Sequence, residues 1–279
     1  MRPILLFKSH IDGYVKKDGT YVKPHNDKRV KLVAAKIRAL TPGIFESPKS
    51  YVAAPSEAPD AYWHPQTDDK GNHVRVRYPH KESAPADVRF SDSLATFTPG
   101  GDVPAALNGV PFKPWTDTPR THEEWGNVPG QVEIEEPTME LPKDKTAASG
   151  VVIVEPDGRC WLMSPTNRFG GYHQTFPKGQ AEAGLSMQAN AIKEAFEETG
   201  LKVQIVGFLG DFEKTTSVAR YYIARRVGGT PADMGWEAQA LRLVPKDMLY
   251  KMLNMPADHS IAEAIGAGPK PKGPPKSLF

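Results

Sequence analysis

The stretch Phe176–Leu201, FPKGQAEAGLSMQANAIKEAFEETGL, decides how this chain is read. It carries Glu182, Glu194, Glu197 and Glu198 in a segment bounded by Gly179 and Gly200. Ser186 is a favoured helix N-cap, and Met187–Thr199 has neither proline nor glycine and is rich in helix formers. Gly200 suits a left-handed C-cap, so a helix is expected over Met187–Thr199. On it, Glu194 lies three residues before Glu197 and four before Glu198, so all three share roughly one face. Ile192 and Ala195 supply a small packing stripe, and Lys193, four before Glu197, partly neutralises it. Like charges so spaced repel by about a few tenths of a kcal/mol each. A hard divalent cation is the natural compensation, because Mg²⁺ prefers carboxylate, carbonyl and water oxygens. The plainer alternative is a solvated acidic face.

Outward from this helix the pattern alternates short strands and turns. Val151–Val154 and Cys160–Met163 read as strands around the turn Pro156-Asp157-Gly158. The loop SPTNRFGGYHQ then leads into Thr175–Gly179. Downstream, ARYYIARRV and Ala240–Val244 read as strands, and KDMLYKML and SIAEAIG as short helices. Tyr221 and Tyr222 alternate in direction, so only one is expected to face a pocket.

These residues resemble the Nudix box, a pattern of Gly, five residues, Glu, seven residues, then Arg-Glu-apolar-x-Glu-Glu-x-Gly-apolar. Here it runs through Gly179, Leu185 and Lys193-Glu194-Ala195-Phe196-Glu197-Glu198-Thr199-Gly200-Leu201, without a gap over 23 positions. Leu185 replaces the first Glu and Lys193 the Arg. The resemblance covers about residues 148–266. It implies an α+β fold, the Nudix-type α/β/α sandwich with a mixed sheet, preceded by a loop-rich, partly β N-terminal region.

It further implies a Mg²⁺-dependent pyrophosphohydrolase, with Mn²⁺ as the alternative ion, cleaving a nucleotide-type diphosphate such as a dinucleoside polyphosphate or ADP-ribose. Glu197 and Glu198 match the metal-binding pair. Glu194 matches the glutamate that helps activate water or completes the metal set, and the Lys178 carbonyl matches a main-chain ligand. Glu237 is the candidate for a later-loop metal or base glutamate, with Asp211 and Glu213 weaker. Substrate contact is expected from Lys178, Tyr172, His173 and Arg168, with Phe169 as a further stacking candidate. Arg220, Arg225 and Arg226 are offered as balance for substrate phosphate, against a plain strand-edge charge run. The two departures point to impaired or specialised catalysis: Lys193 lacks the planar fork of arginine, and restoring an acid with Leu185→Glu is expected to raise turnover. The competing reading is a weakened domain serving as a nucleotide-sensing or nucleic-acid-associated binding protein.

The remainder of the 279 residues is less informative. Net charge is +2 and there is one cysteine, Cys160, which excludes an intramolecular disulfide framework and suits a reducing cytoplasm. No apolar run approaches a membrane span. Residues 1–41 carry ten Lys/Arg against three Asp, a candidate nucleic-acid contact or simply a solvated basic arm. Lys17-Asp18-Gly19-Thr20 is a hairpin-turn signal and residues 74–78, VRVRY, alternate like a strand. The expected organisation is a basic, loop-rich β module or arm at 1–98, a proline-rich linker at 99–147, the Nudix domain at 148–266 and a disordered basic tail at 267–279.

Overall fold

The computed structural model describes residues 62–77 and 81–268, together with four two-residue strands earlier in the chain. Those strands pair antiparallel, His10–Ile11 with His25–Asn26 and Tyr14–Val15 with Tyr21–Val22. The second pair flanks the expected hairpin turn, whose own residues, like the rest of the basic arm and residues 269–279, lie outside the described set. The chain divides into two units, Met1–Pro59 and Asp60–Phe279, and the second holds everything that follows.

In that unit a hairpin of β1 (Trp63–Thr67) and β2 (His73–Arg75) comes first, then β3 (Ala95–Phe97) and the hairpin β4 (Ala106–Leu107) and β5 (Val110–Pro111). A short helix, α1 (His122–Gly126), precedes β6 (Thr146–Ile153), β7 (Cys160–Pro165) and β8 (Lys178–Gln180). The long helix α2 (Met187–Thr199) leads to the hairpin β9 (Leu201–Glu213) and β10 (Ser217–Gly229). Strand β11 (Ala238–Val244) and helices α3 (Lys246–Met252) and α4 (Pro256–Ala264) follow.

The strands form a four-stranded sheet, β8-β6-β10-β9, and a three-stranded sheet, β7-β11-β3. The first is mixed: β6 runs parallel to β10 and antiparallel to β8, while β9 and β10 form a long antiparallel hairpin. Alternation along the strands separates two cores. Val151, Ile153 and Tyr222 face Ala189, Ile192 and Ala195 of α2, whereas Val152, Leu162 and Tyr221 face Leu249, Leu253 and Ile261 from the C-terminal helices. Helices therefore cover both faces, the expected α/β/α sandwich. Among the described residues, no helix is long and apolar enough to cross a membrane.

The proline-rich stretch corrects the linker expectation. The chain does not divide near residue 147, and Phe112, Trp115, Trp125 and Val128 are buried in the same core as α2. Trp115 meets Phe196 of α2 edge-on at 5.1 Å between ring centroids, and Trp125 lies 6.0 Å from Trp115. Proline composition alone does not separate a free linker from an extended strap; the buried aromatics decide for the strap. The Thr121 hydroxyl and the Glu124 carboxylate cap α1 reciprocally. Beyond it, the Gln188 side chain accepts from the Val132 N–H at 2.8 Å and donates to the Val132 carbonyl at 3.0 Å.

Candidate active site

The site begins at the turn from β8 into α2. Ser186 caps α2 by accepting from the Ala189 N–H, and Gly200 ends it at φ +67°, where a Cβ would lie 2.4 Å from the Thr230 carbonyl oxygen. At the other side, Gly179 passes so close to the helix that a Cβ there would sit 2.0 Å from the Glu194 carboxyl carbon. The backbone of Lys178 is held as closely: its N–H donates to Glu198 Oε2 at 2.7 Å. The FPKG turn and the acidic face of α2 are thus locked together before any ligand is considered.

This packing puts the carboxylates under strain. Burial pushes the Glu194 carboxyl up to about 7; the Glu197 charge adds to the shift, Lys193 opposes it, and Glu237 and Glu182 add again. Glu198, buried, is raised well above the usual range by desolvation, against the Lys178 charge and with Glu194 and Glu237 reinforcing it. Glu237 is raised by burial first, then by Asp69 and Glu197. Its backbone carbonyl accepts from the Thr166 N–H at 2.7 Å, which fixes its loop. Lys193 spans Glu182 at 2.8 Å and Glu197 at 2.6 Å.

All the donors are oxygens, and their repulsion is what a hard cation would relieve, so the residues fit such an ion in kind. Among the described residues no group of three Asp, Glu, His or Cys side chains is arranged to hold a metal ion. A main-chain carbonyl and water would complete the coordination.

Residues 144–264 match the family model of the NUDIX domain. They are a NUDIX domain. A putative mutator protein MutT4 of Mycobacterium tuberculosis is 28% identical over 132 residues, 43% of this chain and 53% of that protein. An RNA pyrophosphohydrolase of Caulobacter vibrioides is 37% identical over 59 residues, 21% of this chain and 34% of that protein. The chain thus spans about half or less of the length of these relatives. A solved NUDIX hydrolase from Nitrosomonas europaea superposes with a TM-score of 0.39 at 19% identity, covering 44% of this chain and 89% of that one.

Next to the carboxylates the NUDIX domain opens a cavity of about 590 Å³ lined by Lys178, Glu198, Glu237, Phe169, Tyr172 and Lys214, among others. Of the expected residues, Lys178, Glu198, Glu237, Phe169 and Tyr172 line the cavity, while Glu194 and Glu197 act on Glu237 electrostatically without lining it. Phe169 is 83% exposed, on a loop where Asn167 and Arg168 take left-handed φ of 55° and 53°. Arg168 and His173 do not line the cavity; the His173 N–H is bound to Asn254 Oδ1 at 2.8 Å.

Other expectations are corrected. Tyr221 and Tyr222 are both fully buried, one in each core, and neither lines the cavity. Arg220 is committed to Asp211 and Glu136, and Arg226 to Glu155 and the Leu107 carbonyl. Arg225 binds Gln204. These arginines hold the scaffold, because each already has fixed acceptors. Asp211 is spent on Arg220, and Glu213 on Lys145 at 2.7 Å.

Three neighbours were not anticipated. Asp69, on the β1–β2 turn, reaches Glu237 electrostatically and accepts from Trp236 Nε1 at 3.3 Å. Trp236 and Lys214 line the cavity. The turn sequence Asp68-Asp69-Lys70-Gly71 is itself a hairpin signal, but nothing local shows that it docks beside Glu237.

Proposed function

We propose that the protein is a divalent-metal-dependent hydrolase that cleaves a phosphoric anhydride bond in a nucleotide-type substrate. The observation that supports this is the packing of the Lys178–Gly179 turn against Glu194 and Glu198, with Lys178 and Glu198 lining a cavity that Phe169, Tyr172 and Trp236 also line. Glu197, Glu198, Glu194 and the Lys178 carbonyl would hold Mg²⁺ or Mn²⁺. When bound, the ion would offset the diphosphate charge and make water more acidic. Glu194, raised by burial to about 7, and Glu237 would be the candidates to take a proton from the attacking water. The Lys178 ammonium, 5.9 Å from the centre of the Tyr172 ring, would face the phosphates as a point charge. Phe169, Tyr172 and Trp236 offer surfaces for the ring of the substrate.

The test is a panel of dinucleoside polyphosphates, ADP-ribose, nucleoside triphosphates and 5′-triphosphorylated RNA, with Mg²⁺ or Mn²⁺, run beside Glu197→Gln and Glu198→Gln. Metal-dependent turnover lost in both variants is expected. Turnover that survives both substitutions would sink the assignment, and ligand binding with no turnover would favour a sensing protein instead.

A further inference from the structure

We propose that Lys214, held by Asp258, is a second phosphate site in the same cavity, so that the substrate carries at least one phosphate beyond the diphosphate at the carboxylates. This rests on the hydrolase reading above and deepens it. Lys214 starts the turn between β9 and β10, and it lines the cavity together with Lys178, Thr215, Thr216 and Ser217. Its side chain is 4% exposed and forms an ion pair with Asp258, itself fully buried on α4. The ammonium also stands over the Tyr221 ring, 5.5 Å from its centroid.

A buried Lys–Asp pair is a poor stabilising device unless hydrogen bonds close it on all sides. This one is not closed. Asp258 Oδ2 is buried with no hydrogen-bond partner, while Oδ1 takes one of the three N–H donors of the ammonium. The cation is also not at ease: burial lowers its proton affinity, Asp258 opposes this, and the nearby Lys178 charge lowers it further. Lys178 and Lys214 both line the cavity, and an oxyanion bound there would offset the charge of the two lysines.

The scaffold supports the assignment. Asn254, four residues before Asp258, holds the residues on either side of the cavity-lining Tyr172, donating to the Gly171 carbonyl at 2.9 Å and accepting from the His173 N–H. The segment entering α4 therefore grips both the aromatic loop and the lysine turn. Lys178 sits at the carboxylate end with Glu198, so the two lysines offer successive positions along a phosphate chain. A substrate whose distal group is a neutral sugar, attached to only two phosphates, leaves the Lys214 position unused.

The experiment compares two-phosphate and three-phosphate adenosine nucleotides with methylene bridges in place of the anhydride oxygens, titrated calorimetrically into the full chain with Mg²⁺. In parallel, turnover is compared on dinucleoside substrates with two and with four phosphates. The three-phosphate analogue is expected to bind at least about tenfold more tightly, the size of one charge-assisted hydrogen bond. In Lys214→Gln/Asp258→Asn, which keeps a neutral buried pair, that gap closes while two-phosphate affinity is unchanged. Lys214→Arg keeps the gap. Equal wild-type affinities overturn the proposal, as does a double variant that weakens both analogues alike. If two-phosphate substrates are turned over as well as longer ones, the site fails and the hydrolase reading stands; if nothing binds and nothing is cleaved, both fail.

Discussion

The box helix and the strap that crosses it are built from opposite materials. Along α2, the proposed function rests on charge: Glu198 is buried and Glu194 half-buried, both carboxyls are raised by desolvation, and the Glu194 charge adds to the shift of Glu198. Along residues 112–132, the contribution is apolar area and a few backbone hydrogen bonds, through Phe112, Trp115, Trp125 and the Val132 contacts with Gln188. One region should be expensive in stability and productive in chemistry, the other the reverse. Glu198→Gln is the largest expected separation of the two. Turnover should fall by about 10²- to 10⁴-fold, while the melting temperature holds or rises, because a buried carboxyl is exchanged for a neutral group of the same shape. A fall in both would show that Glu198 is a structural acceptor for the Lys178 N–H before it is anything else.

Trp125→Ala probes the strap. The ring is 7% exposed and packs against Trp115 and Phe196, so removing it should lower unfolding free energy in urea by about 3–5 kcal/mol. Under conditions where the variant remains folded, kcat/KM should change by no more than a few-fold. A loss as deep as that of Glu198→Gln would mean that the strap sets the carboxylate geometry, and the contrast between the two regions would collapse.

The same contrast explains what was legible from sequence. Both ends of α2, its acidic face and its neighbours at Gly179 follow from local rules, since caps, periodicity and close approach are encoded within about one helix length. Asp69, Lys214 and Asp258 were not legible, because pairing across the fold brings them to the site and no local spacing announces it. The strap reads as a linker for a different reason. Its prolines carry the same signature as a linker, and only Phe112, Trp115 and Trp125, together with the capping pair Thr121 and Glu124, mark it as packed.

Leu185 stands where the two regions meet. It is half-buried against the core shared by α2 and the strap, and a Cβ on Gly126 of α1 would lie 3.8 Å from Leu185 Cδ2. The leucine therefore serves the strap, and the expectation that an acid there raises turnover gives way. Leu185→Glu should destabilise the fold by about 1–3 kcal/mol, as a charge placed against apolar neighbours does, and leave kcat/KM level or lower. A faster enzyme with an unchanged melting temperature would show that the strap tolerates the family acid after all.

The smallest effect concerns pH. In the folded protein Glu194 is held at about 7 against 4.5 for an unperturbed glutamate, mainly by burial. The folded state thus binds this proton more tightly than the unfolded state, and the contribution to stability is full below about pH 4.5 and lost as pH rises towards 7. Glu198 and Glu237 are raised as well and act with the same sign. In a chelating buffer the melting temperature should fall by about a few degrees from pH 5 to pH 7, and Glu194→Gln should flatten the slope. Adding Mg²⁺ should restore more stability at pH 7 than at pH 5, because protons and the cation compete for the same carboxylates. A strap variant such as Trp125→Ala lowers the whole curve without changing its slope. A melting temperature that rises between pH 5 and 7 in chelator would show that these carboxylates are not under the strain their burial implies, and that the charge on α2 is neutralised within the fold.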